Sequence, residues 1–144
     1  MCSSDLFDGL PAQEQTLSAR TALASAMSAH GRCRDVLGLF VGREQEMDDK
    51  AVTVVLAACA RAGMVAEGRE VFARVRMPAL QHYTCMVEML GRAGEVEEAE
   101  GLVARMVARP DRVIFAVLLA ACRVHGRVDV AERVAMLMRH YGIA

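Results

Sequence analysis

The chain contains no tryptophan, and aromatic residues make up only 4% of it. A single-strand binding platform of stacked rings therefore has almost nothing to be built from. Proline occurs three times, as Pro11, Pro78 and Pro110, too rarely for a turn-rich all-β chain. Charge of one sign is also missing: 17 basic residues face 18 acidic ones, for a net charge of −1. No global field draws the chain to nucleic acid, and any basic face must be balanced by an acidic one. The longest apolar run, VIFAVLLAAC at 113–122, is too short to cross a bilayer. The opening segment, MCSSDLFDGLPAQEQ, carries Asp5, Asp8 and Glu14 and no arginine before Arg20. No signal or transit peptide is expected there, and the chain reads as a mature piece or a fragment. Cys2, Cys33, Cys59, Cys85 and Cys122 form no C-x-x-C, and an odd count without a secretory signal points to reduced thiols inside a cell or organelle.

What the chain does have is aliphatic: 54% hydrophobic residues, ten of them methionine, enough for a real and adaptable core. It also has a period. Gly31, Gly63, Gly94 and Gly126 are separated by 32, 31 and 32 residues, and a fixed period of this length marks a repeat architecture. Eleven, eight, seven and four residues before each glycine stand mostly apolar side chains, the i, i+3, i+4, i+7 face of a helix. In the third repeat these are Tyr83, Met86, Val87 and Leu90; only Arg20, in the first, departs from the pattern. A second helix follows each glycine. Two residues beyond stand Cys33, Val65, Val96 and Val128, and five beyond stand Val36, Gly68, Ala99 and Ala131, mostly small, as expected where helices cross. The glycine closes the first helix in a left-handed conformation, and the short connection makes the two helices antiparallel. Asp48 and Asp111 precede first helices and suit their caps. One such pair cannot bury both its apolar faces, so the expected fold is all-α, an α-solenoid of stacked helix-turn-helix repeats. The expected units are a partial repeat at 1–16, then 17–48, 49–79, 80–111 and 112–144.

The run HYTCMVEMLGRAGEVEEAEGLVARM, with RPD and LLAACRVHG after it, resembles the pentatricopeptide repeat family of plant organelles. More narrowly, it is similar to the end of a PLS-subclass member, where repeat variants alternate. VTVVLAACARAGMVAEGREVF resembles the long variant, HYTCMVEMLGRAGEVEEAE the short one, and VIFAVLLAACRVHGRVDVAE the extension motif. ALASAMSAHGRCRDVLGLF is a weaker match to a preceding repeat, and DLFDGLP resembles the tail of a second helix, so the chain is expected to start mid-repeat. The resemblance implies single-stranded RNA binding at one base per repeat. It implies base choice by the residue ten before each turn glycine together with the last residue of the repeat: Thr21 with Asp48, Thr53 with Ala79, and Thr84 with Asp111. In that family Thr with Asp reads guanine, Thr with Ala is uninformative, and Ala116 of the extension motif has no group to read with. The resemblance also places Arg61, Arg92 and Arg123, just before the turns, on the RNA backbone. Threonines at helix starts, aspartates as caps and arginines set against the helix dipole account for the same residues without RNA.

The implied role is a non-catalytic RNA-binding segment in organelle RNA maturation, most specifically RNA editing, in a plastid or mitochondrion, with weak binding and a G-N-G preference. The family's editing members carry a deaminase domain with H-x-E and C-x-x-C elements, and this sequence contains neither. No cofactor, metal or membrane partner is expected. The alternative is a protein-interaction scaffold: the acidic run Glu95, Glu97, Glu98 and Glu100 and the paucity of aromatics favour it, and the extension motif implies protein partners of an editing complex. Open apolar ends, including Val134, Met136, Leu137 and Met138, favour pairing with a second copy.

Overall fold

A computed structural model describes residues 16–143. The partial repeat expected over 1–16 lies, apart from Thr16, outside the described residues. Eight α-helices occur among them and no strand: α1 Leu17–Ala29, α2 Cys33–Val36, α3 Asp49–Ala62, α4 Val65–Ala73, α5 Leu80–Arg92, α6 Val96–Ala104, α7 Arg112–Val124 and α8 Val128–His140. They form antiparallel pairs, α1/α2, α3/α4, α5/α6 and α7/α8. The first helices stack in sequence, α1 on α3, α3 on α5 and α5 on α7, with α4 against α5 and α6 against α7 and α8. The fold is an α-solenoid.

All four turns are closed in the same way. Gly31, Gly63, Gly94 and Gly126 have φ of +78°, +71°, +84° and +63°. The residue after each glycine donates its N–H to the carbonyl five residues back: Arg32 to Met27, Met64 to Cys59, Glu95 to Leu90 and Arg127 to Cys122, at 2.8–2.9 Å. This is the six-to-one bond that satisfies an end carbonyl, and it needs a left-handed residue beneath it.

The apolar register lies where the period puts it. Val55, Leu56, Cys59, Met86, Val87, Leu90, Leu118 and Cys122 are all buried. Arg20 is buried too, and its Nη1 donates to the Leu39 carbonyl at 2.8 Å. That carbonyl is available because the second helix of this pair is cut short: α2 passes at Leu37 into a 3-10 turn, Leu37–Leu39. On the second helices Val36 and Ala99 are fully covered. Two expectations need correction. Val128 is 68% exposed, whereas Val96 at the same register is fully buried; among the described residues no helix pair follows α8 to cover it. Val134 is not part of an open end, being fully buried against the rest of the core, while Met136 is exposed.

Close approach of the first helices rests on small residues three before the first three turn glycines. Ser28, Ala60 and Gly91 are buried there. A Cβ on Gly91 would stand 2.8 Å from the Cβ of Ala121, a backbone-fixed atom. Gly91→Ala is expected to destabilise by roughly 1–3 kcal/mol, the strain outweighing the gain in helix propensity. Gly68→Ala crowds the flexible end of Met89, with Cys59 Cβ at an ordinary contact distance of 3.5 Å, and should change stability less. Urea denaturation of the two variants side by side tests this; equal effects would mean that α5 and α7 are free to separate at Gly91.

Candidate nucleic-acid interface

Stacking at a spacing of 31 or 32 residues sets Thr21, Thr53 and Thr84 at one register on α1, α3 and α5. Each hydroxyl donates to the carbonyl four residues back: Thr21 to Leu17 at 2.8 Å, Thr53 to Asp49 at 2.8 Å and Thr84 to Leu80 at 2.9 Å. The proton is thereby committed, and the oxygen keeps only acceptor capacity. Access differs along the row. Thr21 is 4% exposed and Thr53 and Thr84 are half-buried, while Ala116 at the same register of α7 is exposed.

Asp48 and Asp111 sit at the N-caps of α3 and α7. Their Oδ1 atoms accept from the N–H of Ala51 at 2.8 Å and of Ile114 at 2.9 Å. Each cap uses one carboxylate oxygen, which leaves the second as an acceptor. Ala79 cannot cap α5, and its place is taken by a residue the sequence reading missed. His82, fully buried, accepts at Nδ1 from the Ala79 N–H at 2.9 Å. A backbone N–H can only donate, so the proton is on Nε2, which donates to the Asp49 carbonyl of the preceding repeat at 3.2 Å. The available signal was the uncappable Ala79 with a hydrogen-bonding side chain three residues on.

The three candidate arginines do not form one set. Arg61 Nη1 reaches back one repeat to Ser28 Oγ at 2.9 Å. Arg92 Nη1 reaches back to the Ala60 carbonyl at 3.3 Å, while its Nη2 pairs with Glu88 at 2.6 Å. The third rung of this ladder is His125, not Arg123: its Nε2 donates to the Gly91 carbonyl at 2.8 Å. Arg123 stands three residues before its glycine instead of two, about 100° further round the helix. That is the register of Ser28, Ala60 and Gly91, and the Arg123 side chain is exposed with no ion pair or hydrogen bond among the described residues. Arg61 and Arg92 are also exposed, so the ladder leaves part of each guanidinium facing solvent. Beside Arg61 an open cleft of about 900 Å³ is lined by Arg32, Arg34 and Asp35, with Arg32 Nε 2.9 Å from the Asp35 carboxylate. Arg32 and Arg34 extend the basic edge.

The acidic run is internal stitching between second helices. Arg69 of α4 grips Glu98 in a two-point pair at 2.6 and 3.0 Å. Arg133 of α8 does the same to Glu100 at 2.7 and 2.9 Å, and Arg127 bridges Glu97 and Asp129. Hydrogen bonds from Arg127 and then from the Val130 N–H hold the Asp129 carboxyl down at about 2. Three of the four members of the run, Glu97, Glu98 and Glu100, are thus tied to arginines of neighbouring repeats, while Glu95 is exposed.

Among the described residues the cysteines are placed for packing. Burial first, then Glu67 and Cys33, pushes the Cys59 thiol up to about 11, and burial likewise raises Cys85 and Cys122. Such thiols are poor nucleophiles and poor metal ligands. Among the described residues no group of three or more His, Cys, Asp or Glu could hold a metal ion, and no helix is long and apolar enough to cross a membrane.

The sequence model of the PPR repeat matches residues 51–77 and 81–110, which run through α3/α4 and α5/α6. A mitochondrial pentatricopeptide repeat-containing protein of Arabidopsis thaliana is 44% identical over 119 residues, 78% of this chain and 19% of the relative. A second from the same plant is 38% identical over 136 residues, 88% of this chain and 26% of the relative, and a third is 34% identical over 92% and 22%. The chain thus spans only about a fifth to a quarter of the length of these relatives.

Proposed function

The chain carries pentatricopeptide repeats and is homologous to pentatricopeptide repeat-containing proteins, and from that premise we propose that it is a non-catalytic single-stranded RNA-binding segment acting in organelle RNA maturation, in a plastid or mitochondrion. RNA editing is the step we assign, following the likeness of the last repeats to the PLS-subclass end. The observation that carries the reading is the pairing of acceptors. Thr84, with its proton committed to Leu80, and Asp111, with one oxygen outside the cap, are both acceptors on one edge of the array. Guanine offers two donors side by side, N1–H and N2–H₂, where adenine offers one donor and one acceptor. Thr21 is too deeply covered to touch a base, so in the first repeat Asp48 reads alone and more weakly. The Thr53–Ala79 pair between them discriminates nothing, which gives G-N-G with the stronger guanine at the Thr84–Asp111 position. The exposed faces of Arg61 and Arg92, with Arg32 and Arg34, supply the phosphate contacts.

Fluorescence anisotropy with short labelled strands at low salt tests this. G-N-G strands are expected to bind more tightly than A-N-A strands, and binding should fall steeply with salt, the slope rising by about 0.7 for each phosphate neutralised on a single strand. Asp111→Asn keeps the cap, because Asn caps as well as Asp. It replaces an acceptor with a group that also donates, and should move preference at that position toward adenine. Equal binding of both strands, or no binding at low salt, removes base reading from this segment.

A further inference from the structure

The side chain eleven residues before each turn glycine lies near the start of the first helix, and in three of the four pairs it is large. In the first it is Arg20, which reaches the Leu39 carbonyl. In the third it is Tyr83, buried, with its ring edge-on to Phe72 at 5.3 Å between centroids. In the fourth it is Phe115, fully buried beside Tyr141. In the second it is only Val52. The second helix of that pair does not make up the deficit. α4 has 9 residues and ends at Ala73, whereas α8 has 13 and delivers Tyr141 just past its end.

An open cleft of about 410 Å³ lies beside Val52, between the start of α3 and the end of α4. Small-molecule sites have volumes of roughly 300–1,000 Å³, with mostly apolar walls and a few polar groups. Here the apolar wall is Val52 with the partly buried Val71 and Val75. Met47 and Met77 flank it, and Met77, 82% exposed, is a flexible thioether at the mouth. The charged lining residues are Arg74, Arg76 and Asp49. The Arg76 side chain is exposed, with no ion pair or hydrogen bond among the described residues. An anion beside it gains a charge-assisted hydrogen bond. The Asp49 carboxylate repels a second anionic group in the same space, which restricts an occupant to one.

We propose that this cleft binds a small aromatic monoanion, an aryl carboxylate or sulfonate, with its ring against Val52, Val71 and Val75 and its anionic group on Arg76. The ligand supplies to the second pair the ring that Tyr83 and Phe115 supply to theirs. The site uses none of the residues assigned to base reading or phosphate contact.

The probe is 8-anilino-1-naphthalenesulfonate, whose fluorescence rises in an apolar site, set against N-phenyl-1-naphthylamine, the same rings without the sulfonate. Arg76→Glu, at an exposed position, should weaken binding of the sulfonate to the full chain by about tenfold, the loss of one charge-assisted bond, and leave the amine unaffected. Met77→Glu, also exposed, should weaken both. Val52→Phe places a ring in the seat from within; it should abolish binding of both dyes and raise the melting temperature by circular dichroism. 1-Naphthoate should displace the sulfonate. Undiminished sulfonate binding to Arg76→Glu overturns the proposal, as does undiminished binding to a folded Val52→Phe. If Val52→Phe does not fold, the two exposed variants decide. Failure of 1-naphthoate to compete removes the aryl-anion class. Loss of the signal on Val113→Glu would place the dye on the exposed valines of α7 instead, and RNA affinity that falls with Val52→Phe would give the cleft to a base; either result overturns the assignment.

Discussion

Phe115→Ala is expected to destabilise the protein by about 3–5 kcal/mol, the range for emptying a fully enclosed aromatic site. Phe115 is among the largest side chains with no exposed surface. It fills the space between α7 and the end of α8, its ring centroid 6.3 Å from that of Tyr141. Tyr141 is anchored in turn, its carbonyl accepting from Arg109 Nη2 at 2.6 Å. The hole therefore has a wall pinned from behind and cannot collapse freely, which sets the cost toward the upper end. In a stack where each pair contacts only its neighbours, the loss should appear first as early melting of the last pair. Circular dichroism through a urea titration measures the total, and hydrogen exchange locates it. A loss below about 1 kcal/mol would mean that α8 does not close over Phe115.

The second large effect is expected at His82. His82→Ala opens a cavity at a fully buried site, strips the Ala79 N–H of its partner and removes the bond to Asp49. The carbonyl of Asp49 also accepts from Thr53 Oγ1, so it is not orphaned. The cost comes mainly from the cavity and the lost cap, roughly 2–4 kcal/mol together. His82→Gln should recover about 1 kcal/mol, because Gln three residues into a helix can reach back to the N-cap N–H. Equal stability of the Ala and Gln variants would show that the ring acts by volume alone.

The period of the glycines made the fold legible, because helix ends, turn closure and core register all follow from one local requirement. The aspartate caps were equally readable. What the sequence concealed were contacts that cross between repeats. Arg61, Arg92 and Arg123 look alike as basic residues before a turn, yet one residue of offset puts Arg123 on another side of its helix and hands the third rung to His125. The acidic run reads as a solvated patch until Arg69, Arg127 and Arg133, each about one repeat away, are brought beside it. Gly38, Gly68 and Gly101 are all glycines in second helices, but only near Gly38 does the α-helix give way to a 3-10 turn. Local sequence alone does not separate them. The tie from buried Arg20 to Leu39 shows the packing that accompanies that short helix.

The residue three before each turn glycine gives the array a direction. Ser28, Ala60 and Gly91 each admit a successor, but Arg123 fills the same seat with a long charged side chain. Units moved in an engineered array must therefore match seat to successor: Gly91 faces Ala121, where even an alanine Cβ would crowd, and the fourth unit, with Arg123 in its seat, is the least suited to the interior. Shuffled into the interior it would leave a gap behind it, with the helices after it displaced from the common groove. A longer array would have to be lengthened upstream of residue 112, or would need Arg123 cut back to alanine or glycine before a fifth unit could seat.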